Sequence, residues 1–369
     1  MMPCGYVCKA ITCNIDYMNY YERLTDMNVL YDAYRKSIKD VNWKCSVQRY
    51  MSNYLHNLRQ LQSELINENY KVNPFVEFDI CERGKNRHIK SPDFRDKILQ
   101  RAISEYVLEP ALMPHLIYRN GASIKGKGVS FTREQLRKLL WRYYKNYGNK
   151  GYVLVGDYRK FFDSIPHDKL LESIGKKIND DKFMKLFEHI INAYNPSGVG
   201  LAIGAHVSQI CGVYYPTPVD ECITVVNGCR YYIRHMDDFL IIHPDKEFLM
   251  DMIRIIDEES KKLNLVLNHQ KTQICRIDKG FRFLKTKIRV TDSGKIVEKP
   301  FIGNIKRERN KLKMLKEKYD SGELYVENAL NQYRGWRGTM KQFDCNKRLY
   351  QMDNEFNKMF GGNNYGKRI

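Results

Sequence analysis

No run of 18 or more apolar residues occurs in the 369-residue chain, which argues against membrane-spanning helices, because a bilayer core takes about 20 such residues. The N-terminus also lacks a basic stretch followed by an apolar core and a small-residue cleavage site, so a cytoplasmic chain is expected. The ten cysteines do not show the paired spacing and histidine partners of a zinc site, even where Cys4, Cys8 and Cys13 crowd together, and reduced structural thiols are expected. Ser- or Gly-rich linkers and internal repeats are missing as well, which predicts two or three lobes of one continuous molecule. Acidic charge is scarce, with 43 Asp and Glu against 62 Lys and Arg and a net charge of +19. That excess favours a polyanionic partner such as nucleic acid through counterion release, and no membrane partner is expected.

Two of the scarce acids are adjacent. Asp237 and Asp238 interrupt the run Tyr231 to Ile242, whose β-branched and aromatic flanks predict two short strands with the carboxylates at the turn between them. Adjacent aspartates repel each other and are a poor turn choice for stability alone, so a metal ion is the simplest reason for them. Tyr152 to Val155 is an apolar run suited to a central strand, and it delivers Asp157 at its exit. Three carboxylates on two neighbouring strands suit magnesium, which takes hard oxygen ligands.

Around these acids the chain resembles the reverse transcriptases, in order and over most of its length. Arg87-His88-Ile89-Lys90-Ser91-Pro92 followed by Asp96 to Ala102 is similar to the first fingers block of bacterial members, and Tyr118 to Gly121 with Lys125 to Gly128 is similar to the second. Asp157 through His167 resembles the palm block with the first catalytic aspartate, and Met236-Asp237-Asp238 the block with the other two. Leu265 to Asn268 with Lys271 to Ile274 resembles the next block, and Phe281 to Leu284 the primer-grip region. His235 stands where many relatives have Tyr or Ala, and Lys285 where they usually have Gly.

The resemblance implies an α+β right-hand polymerase: an N-terminal helical extension and the start of the fingers over 1–85, fingers over 86–150, a palm with an antiparallel sheet over 151–298, and a helical thumb over 299–369. It implies RNA-directed DNA synthesis from an RNA template and a DNA or RNA primer, with deoxynucleotides as substrates. Two magnesium ions, with manganese able to substitute, would be held by Asp157, Asp237, Asp238 and the backbone carbonyl of Tyr158. Phe162, five residues after Asp157, matches the aromatic gate that abuts the sugar 2′ position, while Phe161 packs. Arg87, Lys90, Arg119 and Lys125 are candidates for contacts to the triphosphate and template backbone. Lys271 is a candidate general acid to pyrophosphate.

One block narrows the choice of relative. Most reverse transcriptases have Pro-Gln-Gly, three residues, then Ser-Pro in the nucleotide pocket, whereas this chain has Ala202-Ile203-Gly204 and Ser208-Gln209. Ile203 for Gln and Gln209 for Pro resemble the enzymes of diversity-generating retroelements, in a pattern that also touches group II intron-like members, and imply error-prone copying of adenines. An aliphatic side chain cannot hydrogen-bond a nucleotide as an amide can. Two alternatives fit the same residues: a defence-associated enzyme acting with a noncoding RNA, protein-primed or untemplated, and a catalytically silent RNA-binding scaffold.

Further predictions concern helices. Tyr50, Tyr54, Leu58, Leu61 and Leu65 predict an amphipathic helix from about Ser46 to Tyr70. From Asn304 to Lys318, Lys306, Arg309, Lys313 and Lys316 form a basic stripe beside Ile305, Leu312, Leu315 and Tyr319. At the position of a thumb, that stripe would grip the template-primer duplex. With no template-selecting domain in sight, a cognate structured RNA and a small accessory protein are expected partners.

Overall fold

A computed structural model of the chain describes residues 19–82 and 85–361. Cys4, Cys8 and Cys13 lie outside the described residues. Four helices open the described chain: α1 (Tyr20–Thr25), α2 (Met27–Ile38), α3 (Cys45–Met51) and α4 (Tyr54–Ile66). The single helix expected from Ser46 to Tyr70 is therefore two. The break falls at Ser52-Asn53, residue types whose side chains compete for backbone hydrogen bonds, and Asn53 leaves the helical region at φ −139°. Leu58, Leu61 and Leu65 are fully buried, as their spacing predicts.

The fingers hairpin follows, β1 (Val76–Glu82) pairing antiparallel with β2 (Lys85–Ser91), and then α5 (Phe94–Ile103), α6 (Glu109–Leu112) and the long α7 (Val129–Tyr147). The hairpin straddles residue 85, so its first strand falls in the expected start of the fingers and its second in the fingers proper. Asp93 caps α5 by accepting from the Arg95 amide at 3.0 Å. Asp96 is fully buried and accepts from the Tyr70 hydroxyl and the Asn73 amide, both at 2.8 Å, which ties the preceding segment to the helix.

The palm comprises β3 (Tyr152–Gly156), β4 (Tyr158–Arg159), α8 (His167–Gly175), α9 (Asp181–Tyr194), α10 (His206–Tyr214), α11 (Thr217–Glu221), β5 (Tyr232–His235), β6 (Asp238–His243), α12 (Lys246–Lys262), β7 (Val266–Leu267) and β8 (Gln273–Arg276). Its main sheet has the order β5-β6-β3-β8, antiparallel throughout. Both faces are covered: Leu154 and Ile241 point into one core, Val153, Val155, Leu240 and Ile242 into the other. That explains the all-apolar run before Asp157. A second sheet of β9 (Phe281–Phe283), β10 (Thr286–Val290) and β11 (Ile296–Pro300) closes the palm. The expected palm end at 298 falls inside β11.

The thumb is α13 (Ile302–Asp320), α14 (Val326–Met340) and α15 (Asn346–Phe360), with its own core around Leu312, Tyr333, Met352 and Phe356. Buried Glu298 on β11 fastens it to the palm. Its carboxylate takes Arg133 and Arg137 of α7, its amide donates to Asp344 at 2.7 Å, and the Arg133 guanidinium continues to Gln342 Oε1 at 2.6 Å.

Gly156 shows how tightly the sheet is built beneath the acids. A Cβ there would lie 2.1 Å from Phe239 Cζ, and Phe239 is buried next to Asp238. Gly156→Ala is expected to destabilise the protein by about 1–3 kcal/mol through overpacking. A denaturant midpoint equal to that of the parent would show that the ring has room to move.

Candidate active site

The register of β3 against β6 pairs Gly156 with Phe239, so the next step along both strands sets Asp157 opposite Asp238. The β5-β6 hairpin closes at the His235–Asp238 pair, leaving Met236 and Asp237 as a two-residue turn. Met236 sits at φ +60°, a conformation that favours glycine. A buried network holds this turn. Arg234 Nη1 donates to the Met236 carbonyl at 3.1 Å, Nη2 to the Val213 carbonyl at 2.9 Å and to Asp220 Oδ2 at 2.6 Å, and Nε to Asp220 Oδ1 at 2.8 Å. The Tyr232 hydroxyl completes it by donating to Asp220 Oδ1 at 2.6 Å. Arg234 is 1% exposed and Asp220 not at all.

Burial, then the negative charge of Asp157, pushes the Asp237 carboxyl up to about 6. Burial, then Asp237 and Asp157, pushes Asp238 up to about 7. Opposing them, the Lys271 ammonium is paired with Asp157, and that pairing raises the Lys271 pKa and keeps it charged. Lys285 adds a positive field at Asp238. A surplus of crowded negative charge on hard oxygen donors suits a divalent cation. Among the described residues no group of three or more His, Cys, Asp or Glu side chains stands close enough together to hold a metal ion, and Lys271 is paired with Asp157.

The sign of the pH dependence follows. Both carboxyls have folded pKa values above the unfolded value of about 3.9. Their contribution to stability is complete below that value and is lost as pH rises through about 6 and 7. A divalent ion competes with those protons, so magnesium is expected to raise the melting temperature more at about pH 8 than at about pH 5.5. Equal magnesium shifts at both pH values, measured against EDTA controls, would count against these residues as the ligands.

Beside the acids lies a cavity of about 830 Å³ lined by Asp157, Asp238, Lys271, His235, Arg282 and Lys285. His235 packs there with Nδ1 2.9 Å from Thr132 Oγ1. Leu284 and Lys285, at φ +45° and +62°, form the two-residue β9-β10 turn, so a lysine takes up the left-handed conformation that favours glycine. Tyr158 has its ring buried and its hydroxyl 3.1 Å from Ser260 Oγ. Phe161 is buried, whereas half-buried Phe162 lies over Gly212 of α10, with Cε1 2.9 Å from where a Cβ would stand.

The other predicted residues are spread more widely. Ile203 and Lys90 share a small cavity with His88 and Asp163, and Lys90 Nζ donates to the Tyr194 carbonyl at 3.1 Å. Gly204 and Gln209 line a different cavity, between α2, α5 and α10, with Lys44, Lys97 and Arg101. The two pocket substitutions therefore do not face one common space. Arg87 is exposed on β2 and Lys125 on the loop before α7. Arg119 does not join them, because its guanidinium donates to the Arg230 carbonyl at 3.3 Å, towards the far end of β5. In the thumb, Lys306 and Lys313 are exposed. Arg309 instead makes a two-pronged pair with Glu355 at 2.8 and 2.6 Å, and Lys316 pairs with Asp320. Half of the basic stripe is thus used inside the thumb. Sequence reasoning missed Arg234 and Asp220 as supports of the turn; the signal was a lone arginine in an otherwise apolar strand.

An antiparallel sheet with three aspartates at one end, flanked by a hairpin unit and a helical thumb, has the architecture of the right-hand polymerase fold. The family model described as reverse transcriptase (RNA-dependent DNA polymerase) matches residues 71–288, more than half of the sequence, and the chain belongs to that family. It is 31% identical over 150 residues to an uncharacterized 91 kDa protein in the cob intron of Schizosaccharomyces pombe, covering 38% of this chain and 17% of that protein. It is 23% identical over 271 residues to protein YkfC of Escherichia coli, covering 62% and 70%. Among solved structures it is similar to telomerase from Candida albicans in complex with a TWJ fragment of telomeric RNA, with 13% identity, a TM-score of 0.48, and 79% and 59% covered. The chain thus spans less than a fifth of the S. pombe relative and about 70% of YkfC. Among the described residues no helix is long and apolar enough to cross a membrane.

Proposed function

We propose that this chain is a magnesium-dependent RNA-directed DNA polymerase that extends a primer on an RNA template, with a nucleotide pocket relaxed towards the error-prone copying of diversity-generating retroelements. The observation that carries the reading is the β3-β6 register, which sets Asp157 opposite Asp238 beside the Met236-Asp237 turn. In this reading Asp157, Asp237, Asp238 and the Tyr158 carbonyl would hold two divalent ions, which would supply activation of the primer 3′-hydroxyl and neutralisation of the triphosphate. Phe162 walls the sugar side of the pocket against a 2′-hydroxyl. Lys271, kept protonated by the acids around it, turns to the departing pyrophosphate and donates its proton there. Arg87, Lys90 and Lys125 meet the triphosphate and template phosphates, and Lys306 and Lys313 meet the duplex.

The test is incorporation of deoxynucleotides by the purified protein on a DNA-primed RNA template with magnesium. No extension on any primed RNA would overturn the reading. The pocket is tested by sequencing products opposite template adenines: Ile203→Gln is expected to lower misincorporation there, since an amide restores a hydrogen bond that isoleucine cannot make. A parent enzyme as accurate at adenine as at other bases would remove the retroelement reading and leave the polymerase one.

A further inference from the structure

At the end of β5 opposite the catalytic turn, Arg119, Arg142, Lys145 and Arg230 converge on a cavity of about 320 Å³ bordered by Asn146 and Tyr231. Tyr231 is five residues from Met236, roughly 16 Å of extended chain at about 3.3 Å per residue. Among the described residues none of these four cations forms an ion pair with a carboxylate, and the lining contains no acid. Several other arginines are matched, Arg133 with Glu298, Arg309 with Glu355 and Arg337 with Asp353. Here like charges face each other, and burial together with Arg142 lowers the pKa of the Arg119 guanidinium. Convergent cations without counterions repel one another, and an anion between them relieves that repulsion.

The frame around them is fixed. Asn146 Nδ2 donates to the Tyr231 hydroxyl at 2.9 Å, Tyr143 meets Tyr231 edge-on at 5.3 Å, and Arg119 donates to the Arg230 carbonyl. On the same face of α7, one turn before Lys145, Trp141 is 51% exposed, and the Lys145 ammonium lies 3.8 Å from the centre of its ring. Guanidinium groups suit phosphate oxygens, and an exposed indole beside them offers a stacking platform for a base.

We propose that this face is a second RNA-binding site, remote from the catalytic cleft. Phosphates of a structured RNA sit among Arg119, Arg142, Lys145 and Arg230, and an unpaired base stacks on Trp141. Such a site holds an RNA by a part that is not being copied, leaving the cleft free for the primer terminus.

The test uses the full chain with Arg142→Glu, Lys145→Glu and Arg230→Glu combined, and Trp141→Ala separately. All four side chains are partly or well exposed at the surface, so the fold should persist, and Trp141→Ala serves as the milder variant if the triple change unfolds the protein. The probe is a hairpin RNA with no primer terminus, titrated across salt concentrations, alongside extension of a short primer-template. The triple variant is expected to bind the hairpin at least tenfold more weakly, with a salt slope smaller by about 2–3. Trp141→Ala is expected to lose about fivefold or more with its salt slope unchanged. Short-template extension should stay at the parent rate in both. Unchanged hairpin affinity in both variants overturns the proposal. So does loss of binding to phosphatidylglycerol vesicles with RNA binding intact, which would make the face a membrane site, or a matching loss of short-template extension, which would place these residues in the cleft. Failure of the polymerase reading shows separately, as absence of extension by the parent protein, and leaves the hairpin measurement valid.

Discussion

Asp237→Ala is expected to abolish nucleotide incorporation, by about 10³-fold or more, while leaving the metal-free protein at least as stable as the parent. A bound metal supplies several kcal/mol of charge stabilisation in the transition state, and each 1.36 kcal/mol is a factor of ten in rate. The stability half of the expectation comes from the same residue read in the opposite direction. In the metal-free protein the Asp237 carboxyl is pushed up to about 6 by burial and by Asp157, so its ionised form is a liability near neutral pH. Alanine removes one member of a repelling cluster. Single-turnover extension and thermal denaturation in EDTA check the two halves. A variant that still incorporates nucleotides at a tenth of the parent rate would remove Asp237 from the ligand set.

The second large effect is expected at a residue that touches no substrate. Asp220→Ala leaves the Arg234 guanidinium buried without its counterion and the Tyr232 hydroxyl without its acceptor, and a loss of about 3–5 kcal/mol is expected. Replacing both partners by apolar residues, Asp220→Leu with Arg234→Met, should recover much of that stability, because no charge is then stranded. Activity should not recover with it. Arg234 Nη1 donates to the Met236 carbonyl, and without that bond a methionine held at φ +60° is freer to relax and carry Asp237 with it. Comparing denaturant midpoints with the magnesium concentration needed for half-maximal extension separates the two roles. If the double variant refolds to parent stability and polymerises at parent magnesium concentrations, the network is merely core packing.

Legibility from sequence differed by kind of residue. Asp157, Asp237 and Asp238 were found because each lies at or next to the end of a strand whose apolar run is visible locally, and the pairing of β3 with β6 sets Asp157 opposite Asp238. Leu58, Leu61 and Leu65, and Ile305, Leu312 and Leu315, were found for the same reason, since a helix exposes its buried stripe at intervals of three and four. Element ends were less legible: Ser52-Asn53 breaks a periodic run that continues on both sides, and the β1-β2 hairpin crosses a boundary drawn at residue 85. The cations were least legible. Arg119, Arg309 and Lys316 look alike in sequence to Lys306 and Lys313, yet the first turns to the Arg230 carbonyl and the next two to Glu355 and Asp320.

The sequence by itself determined the polymerase family, the three acids and the faces that must be buried, because these depend on residue type and on a spacing that repeats within a few positions. Tertiary structure alone decided which charges are occupied and which are available. Asp220 meets Arg234 across fourteen residues, Glu298 meets Arg133 across 165, and Lys271 meets Asp157 across 114. The physical reason is range. A hydrophobic pattern is satisfied by any apolar neighbour and can be read one element at a time, whereas a charge needs one partner at hydrogen-bond distance, and only the path of the whole chain brings that partner there.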